Sequence, residues 1–170
     1  ISCQAQRVSF PTGLPMHVLG SALWNRNANF AELCSAYFQD CFGKAGPAVK
    51  EYLAKISGLF DPPYMRGEKK GSKADLAQRR KLAQIPGLVR KFQPQIDELC
   101  RSSDPVTAAN GRILQHHAWY VTEISKLHSQ IIRGGKEAST AYESFNRELD
   151  LRLPELEHVL DTWTVKCVLE

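Results

Sequence analysis

The stretch Phe30-Ala31-Glu32-Leu33-Cys34-Ser35-Ala36-Tyr37-Phe38-Gln39-Asp40-Cys41-Phe42-Gly43 decides the fold class. Phe30, Leu33, Cys34, Tyr37, Phe38, Cys41 and Phe42 recur at i, i+3, i+4, i+7, i+8, i+11 and i+12, the stripe of a helix buried along one side. Asn29 offers a side-chain oxygen to the unpaired N–H groups at its start, and Gly43 is a natural stop. Beyond the turn Gly43-Lys44-Ala45-Gly46, Pro47 suits the first turn of a second helix. Val49, Tyr52, Leu53, Ile56, Leu59 and Phe60 repeat the stripe until Asp61-Pro62-Pro63 ends it. Two antiparallel helices joined by a short turn are predicted.

The same period continues toward the C-terminus. Residues 61–73 lack it and read as a loop. A short polar helix is expected over Ala74–Gln84, and Pro86 opens another with Leu88, Val89, Phe92, Ile96, Leu99 and Cys100 inward, bent or shortened at Pro94. Asp104-Pro105 reads as N-cap and first residue of the longest helix, which runs to about Arg133 before Gly134-Gly135. Its stripe of Val106, Ile113, His117, Tyr120, Ile124, Leu127 and Ile131 predicts lengthwise packing against neighbouring helices. A last stretch carries Ala138, Tyr142, Phe145, Leu149, Leu153, Leu156 and Leu160, with a kink expected at Pro154.

Toward the N-terminus, a helix is expected over Pro15–Trp24, preceded by the loop Phe10-Pro11-Thr12-Gly13. Ile1–Gln6 is weakly strand-like, and one strand without a mate is not stable alone. The expected fold is therefore all-α, an antiparallel bundle of about five to seven helices over 14–170, with 1–13 as a short extended segment belonging to something that precedes it. A chain of 170 residues has one domain's worth of core, and its 43% hydrophobic and 24% charged residues match ordinary globular composition. No apolar run approaches the roughly 18 to 20 residues of a membrane span.

Charge and chemistry narrow the function classes. The net charge of +4 is too small to indicate a nucleic-acid binder. Its distribution is uneven: 64–91 holds Arg66, Lys69, Lys70, Lys73, Arg79, Arg80, Lys81, Arg90 and Lys91 against Glu68 and Asp75, whereas 137–170 is acidic. These segments either attract across the bundle or are solvated faces, and the basic one is also a candidate surface for an acidic partner. The five cysteines, Cys3, Cys34, Cys41, Cys100 and Cys167, form no CxxC pair, so neither a closed disulfide set nor a zinc ribbon fits, and Cys34 and Cys41 read as small buried side chains. Unpaired cysteines favour a cytoplasmic setting slightly. His116, His117 and His128 are the only histidine cluster, but they lack the i, i+4 spacing of a helical metal pair. His117 lies on the apolar stripe and reads as a core residue. No cofactor motif is present: no Gly-rich phosphate loop, GxSxG or HExxH occurs.

The N-terminal third carries a more particular signal. Ile1-Ser2-Cys3-Gln4, Phe10-Pro11-Thr12-Gly13-Leu14-Pro15, Ala22-Leu23-Trp24-Asn25, Tyr37-Phe38-Gln39-Asp40-Cys41-Phe42-Gly43 and Tyr52-Leu53 form a series. It resembles the C-terminal part of a bacterial domain-of-unknown-function family found in large glycoside hydrolase-like proteins similar to alpha-glucuronidases. The resemblance covers residues 1 to about 60. It implies that 1–13 are the last strand and loop of a preceding (β/α) barrel, and that 14–170 are a helical C-terminal domain packed on that catalytic domain of the same polypeptide. Loops after barrel strands line the active site. The resemblance therefore makes Gln4, Arg7, Phe10 and Thr12 candidates for the wall of a carbohydrate site. Gln4 and Thr12 would hydrogen-bond hydroxyls, Phe10 would stack or instead anchor the loop in the core, and Arg7 would meet a carboxylate.

Residues 1–31 contain no Asp or Glu, Glu32 being the first. Glycoside hydrolysis needs two carboxylates flanking the bond. No catalytic residue is assigned, and the chain is not expected to be competent by itself. The expected function is a non-catalytic helical part of a carbohydrate-active enzyme. The alternatives are a self-contained bundle that binds an acidic partner through 64–91 and, least favoured, a helical metalloenzyme using His116, His117 and His128.

Overall fold

Caps and proline positions set where each helix begins, and a computed structural model shows the result for residues 10–133 and 136–169. The helices are α1 (Leu14–Trp24), α2 (Phe30–Phe42), α3 (Gly46–Leu59), α4 (Pro62–Met65), α5 (Ser72–Leu82), α6 (Ile85–Cys100), α7 (Pro105–Arg133), α8 (Lys136–Leu156) and α9 (Thr162–Leu169). Among the described residues the fold is all-α with no strand. The expected barrel remnant falls mostly on residues 1–9, outside the described residues; 10–13 are the bend that leads into α1.

Local chemistry accounts for the boundaries. Asn29 Oδ1 accepts from Ala31 N–H at 2.9 Å and Glu32 N–H at 3.3 Å, and Gly43, with φ 54°, closes α2 in a conformation costly for other residues. A short 3-10 turn, Gly43–Ala45, reverses the chain into α3. Asp104 Oδ2 accepts from Thr107 N–H at 2.8 Å and starts α7. Residues 61–73 are more ordered than a loop reading allows. Asp61 caps the single turn α4 through Tyr64 N–H, Tyr64 Oη donates to Asp75 Oδ1 at 2.8 Å, and α5 begins at Ser72 rather than Ala74.

The two interior prolines do not break their helices. α6 runs through Pro94 to Cys100, and α8 through Pro154 to Leu156. Both prolines are exposed, and so are Arg90 and Asp150, one turn before them, so water can reach the carbonyls left without an N–H partner. The terminal stripe does end early: Leu160 lies between α8 and α9 rather than within a helix. Three other residues of the predicted stripes face outward, Phe30, Val106 and Ile131. Each sits within a few residues of a helix end, where no neighbouring helix is left to cover it.

α7 is the axis of the molecule and packs against α2, α5, α6 and α8. Its 29 residues span about 44 Å. Its N-terminal half joins Phe38, Phe42, Val49, Tyr52, Ile56, Leu82, Ile85, Phe92 and Ile96 in one core through Leu114, Ala118 and Val121. Its C-terminal half contributes Ile124 and Leu127 to a second core with Phe145, Leu149, Leu156 and Val159. Side-chain bonds tie distant segments to this frame. Asn110 Nδ2 donates to Cys41 O, and the buried Gln78 donates to Leu59 O at the end of α3.

Candidate functional site

The carbohydrate-wall residues divide between described and undescribed positions. Gln4 and Arg7 lie outside the described residues. Phe10 is half-buried, its ring 5.7 Å from Tyr120 edge-on and 5.8 Å from His117. This packing uses the ring to pin the loop onto α7. Thr12 is half-buried at the start of the turn, and the following Gly13 N–H donates to Tyr37 Oη at 2.7 Å. Burial pushes the Tyr37 hydroxyl up to about 12, so it stays protonated while it accepts this bond.

The histidines do not converge on a metal. No group of three potential metal-ligating side chains comes together among the described residues. His117 is buried between Phe10 and Tyr52, its Nδ1 has no hydrogen-bond partner, and burial holds it down to about 4. Burial also lowers His128. Three cysteines, Cys34, Cys41 and Cys100, are equally unsuited to nucleophilic work: Cys34 is buried, and burial raises the Cys41 and Cys100 thiols, away from the reactive thiolate.

Among the described residues no ion pair joins the basic and acidic segments across the bundle. Among the described residues the ion pairs of 64–91 are local, Arg66 to Glu68 at 2.6 Å and Lys69 to Asp61 at 2.8 Å. In the acidic segment, Asp150 pairs with Lys166 and Glu155 with His116 Nε2 at 2.8 Å. Arg80, Arg90 and Lys91 are exposed, so this stretch is a solvated face.

The structure adds two features to what the sequence showed. The first is the exposed face of α1. The helix LPMHVLGSALW carries no Asp, Glu, Lys or Arg and buries none of its residues fully. Leu23 is 52% exposed, Trp24 94%, and the adjoining Phe30 64%. An amphipathic surface helix normally turns charged residues outward. Here the outward side is apolar as well.

The second is a cleft of about 470 Å³ whose floor is α7 and whose walls are α6 and α8. Arg112, His116, Trp119 and Glu123 rise from α7, Gln93 stands on α6, and Arg152 and Glu155 come from α8. The Arg152 guanidinium lies 4.2 Å over the Trp119 ring, a cation–π contact, and Trp119 in turn stacks on Phe145. His116 is held below its ordinary range by burial, with Glu155 opposing and Arg152 reinforcing the effect.

Compared with family models, curated proteins and solved structures, the chain matches none.

Proposed function

We propose that this chain is the helical, non-catalytic part of a carbohydrate-active polypeptide, and that it docks through α1 on the catalytic domain of the same polypeptide. The observation that carries the proposal is α1 itself: an uncharged helix that buries no side chain fully and presents Leu19, Leu23 and Trp24 outward beside Phe30. Single exposed apolar residues are ordinary on a surface, whereas a whole helix without a charge is the composition of an interface. Covering those side chains is worth about 1 kcal/mol for each half-exposed leucine and more for Trp24 and Phe30, before association costs. α1 also follows directly on the segment that resembles the last strand and loop of a barrel, so a partner joined there would meet this face first. Thr12, on the same bend, would then stand at the junction of the two domains, with Gln4 and Arg7 beside it along the chain.

The test is binding in trans between this chain and a separately expressed barrel domain from the sequence that precedes it in the gene. The wild-type chain is expected to bind, and the double substitution Leu23→Gln, Trp24→Gln to weaken binding by roughly a hundredfold or more, while leaving the circular dichroism and melting of the chain itself unchanged. Unchanged binding by the double variant, or turnover of an aryl glycoside by the chain alone that is lost on substituting one of its own acids, would overturn the reading.

A second reading places an acidic partner on the solvated basic face of 64–91, where Arg80, Arg90 and Lys91 are exposed without an ion-pair partner among the described residues. Charge reversal at Arg79, Arg80 and Lys81 would abolish such binding and spare the fold.

A further inference from the structure

We infer that the outer face of α5, with the link that leads into it from α4, docks on an anionic lipid bilayer: Lys70, Lys73, Arg79 and Arg80 meet the headgroups, and Leu76 enters the boundary between headgroups and acyl chains. The inference deepens the second reading above by naming the acidic partner, and it is independent of α1.

The arrangement of α5 carries it. Lys73, Leu76, Ala77 and Arg80 are exposed and stand at i, i+3, i+4 and i+7, so they share one face, while Gln78 and Leu82 are buried against the bundle. This distribution runs against that of a solvated helix. Gln78 is 2% exposed, its Nε2 donating to Leu59 O at 3.2 Å and its Oε1 left without a partner, whereas Leu76 is 47% exposed. A lone exposed leucine is ordinary. This one lies between two cations, Lys73 one turn before it and Arg80 one turn after, with no acid on the same face.

The acids of the segment are already engaged. Asp61 accepts from Lys69 at 2.8 Å and lies in the field of Lys81, Glu68 accepts from Arg66 at 2.6 Å, and Asp75 accepts from the Tyr64 hydroxyl at 2.8 Å. Lys70, Lys73, Arg79 and Arg80 have no ion-pair partner among the described residues. The Tyr64–Asp75 bond also ties the stretch that carries Lys70 to the first turn of α5. Four unpaired cations and an apolar side chain between two of them match a plane of anionic headgroups with hydrocarbon beneath it. A nucleic acid would use the cations but not the leucine, and it would lack an aromatic platform, because Tyr64 is half-buried with its hydroxyl held. An acidic peptide would want a groove, which the outer face of one helix does not provide. Among the described residues no helix is long and apolar enough to cross a membrane, and the contact inferred is with its surface.

The experiment is co-sedimentation of the whole chain with vesicles of phosphatidylserine and phosphatidylcholine in equal parts, beside vesicles of phosphatidylcholine alone. Binding is expected to the first and not to the second, and to be largely lost at about 1 M salt, where charges are screened beyond about 3 Å. Each cation contributes about fivefold, so Lys73→Glu with Arg80→Glu is expected to weaken binding by roughly thirtyfold or more. Leu76→Gln, which leaves the charge alone, is expected to weaken it by about three- to fivefold. All three positions are exposed, so circular dichroism should show the fold unchanged. Absence of binding to the anionic vesicles, equal binding to phosphatidylcholine alone, or undiminished binding by the charge variant would overturn the proposal, and so would an unchanged affinity of Leu76→Gln. Binding to poly-L-glutamate or to a single-stranded oligonucleotide without binding to the vesicles would overturn the lipid assignment while leaving the basic face as the site for another acidic partner. Loss of vesicle binding in Leu23→Gln, Trp24→Gln instead would move the contact to α1 and overturn it as well.

Discussion

His117 is an ionisable ring placed where water cannot follow. Its neighbours are Phe10 and Tyr52, its Nδ1 is unpartnered, and burial holds its protonation down to about 4 against the ordinary 6.5. The folded-state value lies below the unfolded one, so the unfolded chain takes up the proton first as pH falls. Stability present at neutrality is lost between about pH 6.5 and pH 4, roughly 3 kcal/mol in all and about 2 kcal/mol of it by pH 5. His116 and His128, also lowered, act in the same direction. His117→Met removes the titration without leaving a buried polar atom unpaired. The variant is expected to lie within about 1 kcal/mol of the wild type at pH 7 and to be more stable than it at pH 5. Urea unfolding at the two pH values measures both, and an unchanged pH dependence would rule His117 out as the source.

At the scale of elements, two helical glycines that look alike in sequence do opposite things. A Cβ added at Gly111, on α7, would lie 2.7 Å from Cys100 N and 2.8 Å from Leu99 C, so α6 and α7 touch backbone to backbone there. At Gly87, in the first turn of α6, an added Cβ meets nothing within 4 Å. Gly111→Ala is therefore expected to destabilise by about 1–3 kcal/mol, because helix backbones rather than flexible side chains must move. Gly87→Ala is expected to stabilise by about 0.5 kcal/mol through the loss of unfolded-state freedom. Thermal melts of the two variants decide it. Pro94 and Pro154 teach the same lesson. Each removes a helix hydrogen bond whether buried or not, and the helix survives because the orphaned carbonyl faces water.

Across the whole molecule, α7 passes unbroken through both cores, with Leu114 buried in one and Leu127 in the other. Unfolding one core must expose or fray half of the helix that supports the other, so the two are expected to melt as one unit. Leu149→Ala, which empties a fully buried position in the second core, is expected to lower stability by about 2–5 kcal/mol. Far-ultraviolet circular dichroism, which follows helix in both cores, and the indole N–H resonance of Trp119, which packs against the second core, should report one common transition. Separate transitions would show that α7 uncouples them. The same view of the molecule accounts for α1, which touches chiefly α2 and reaches neither core with a fully buried side chain.

The sequence by itself determined most of the helices: α2 begins at its cap Asn29 and stops at Gly43, and α7 begins at its cap Asp104, because a helix is made of hydrogen bonds four residues apart and those are local. It also showed the core stripe and the unusual absence of acids before Glu32. Only the tertiary structure decided that Phe30 faces outward, that Gly111 is a crossing point, that Arg152 lies over Trp119 while Glu155 turns to His116, and that among the described residues no helix covers the outer face of α1. Those facts depend on which segments meet across the bundle, and a pairing such as Arg152 on α8 with Trp119 on α7 leaves no period in the chain from which it could be read.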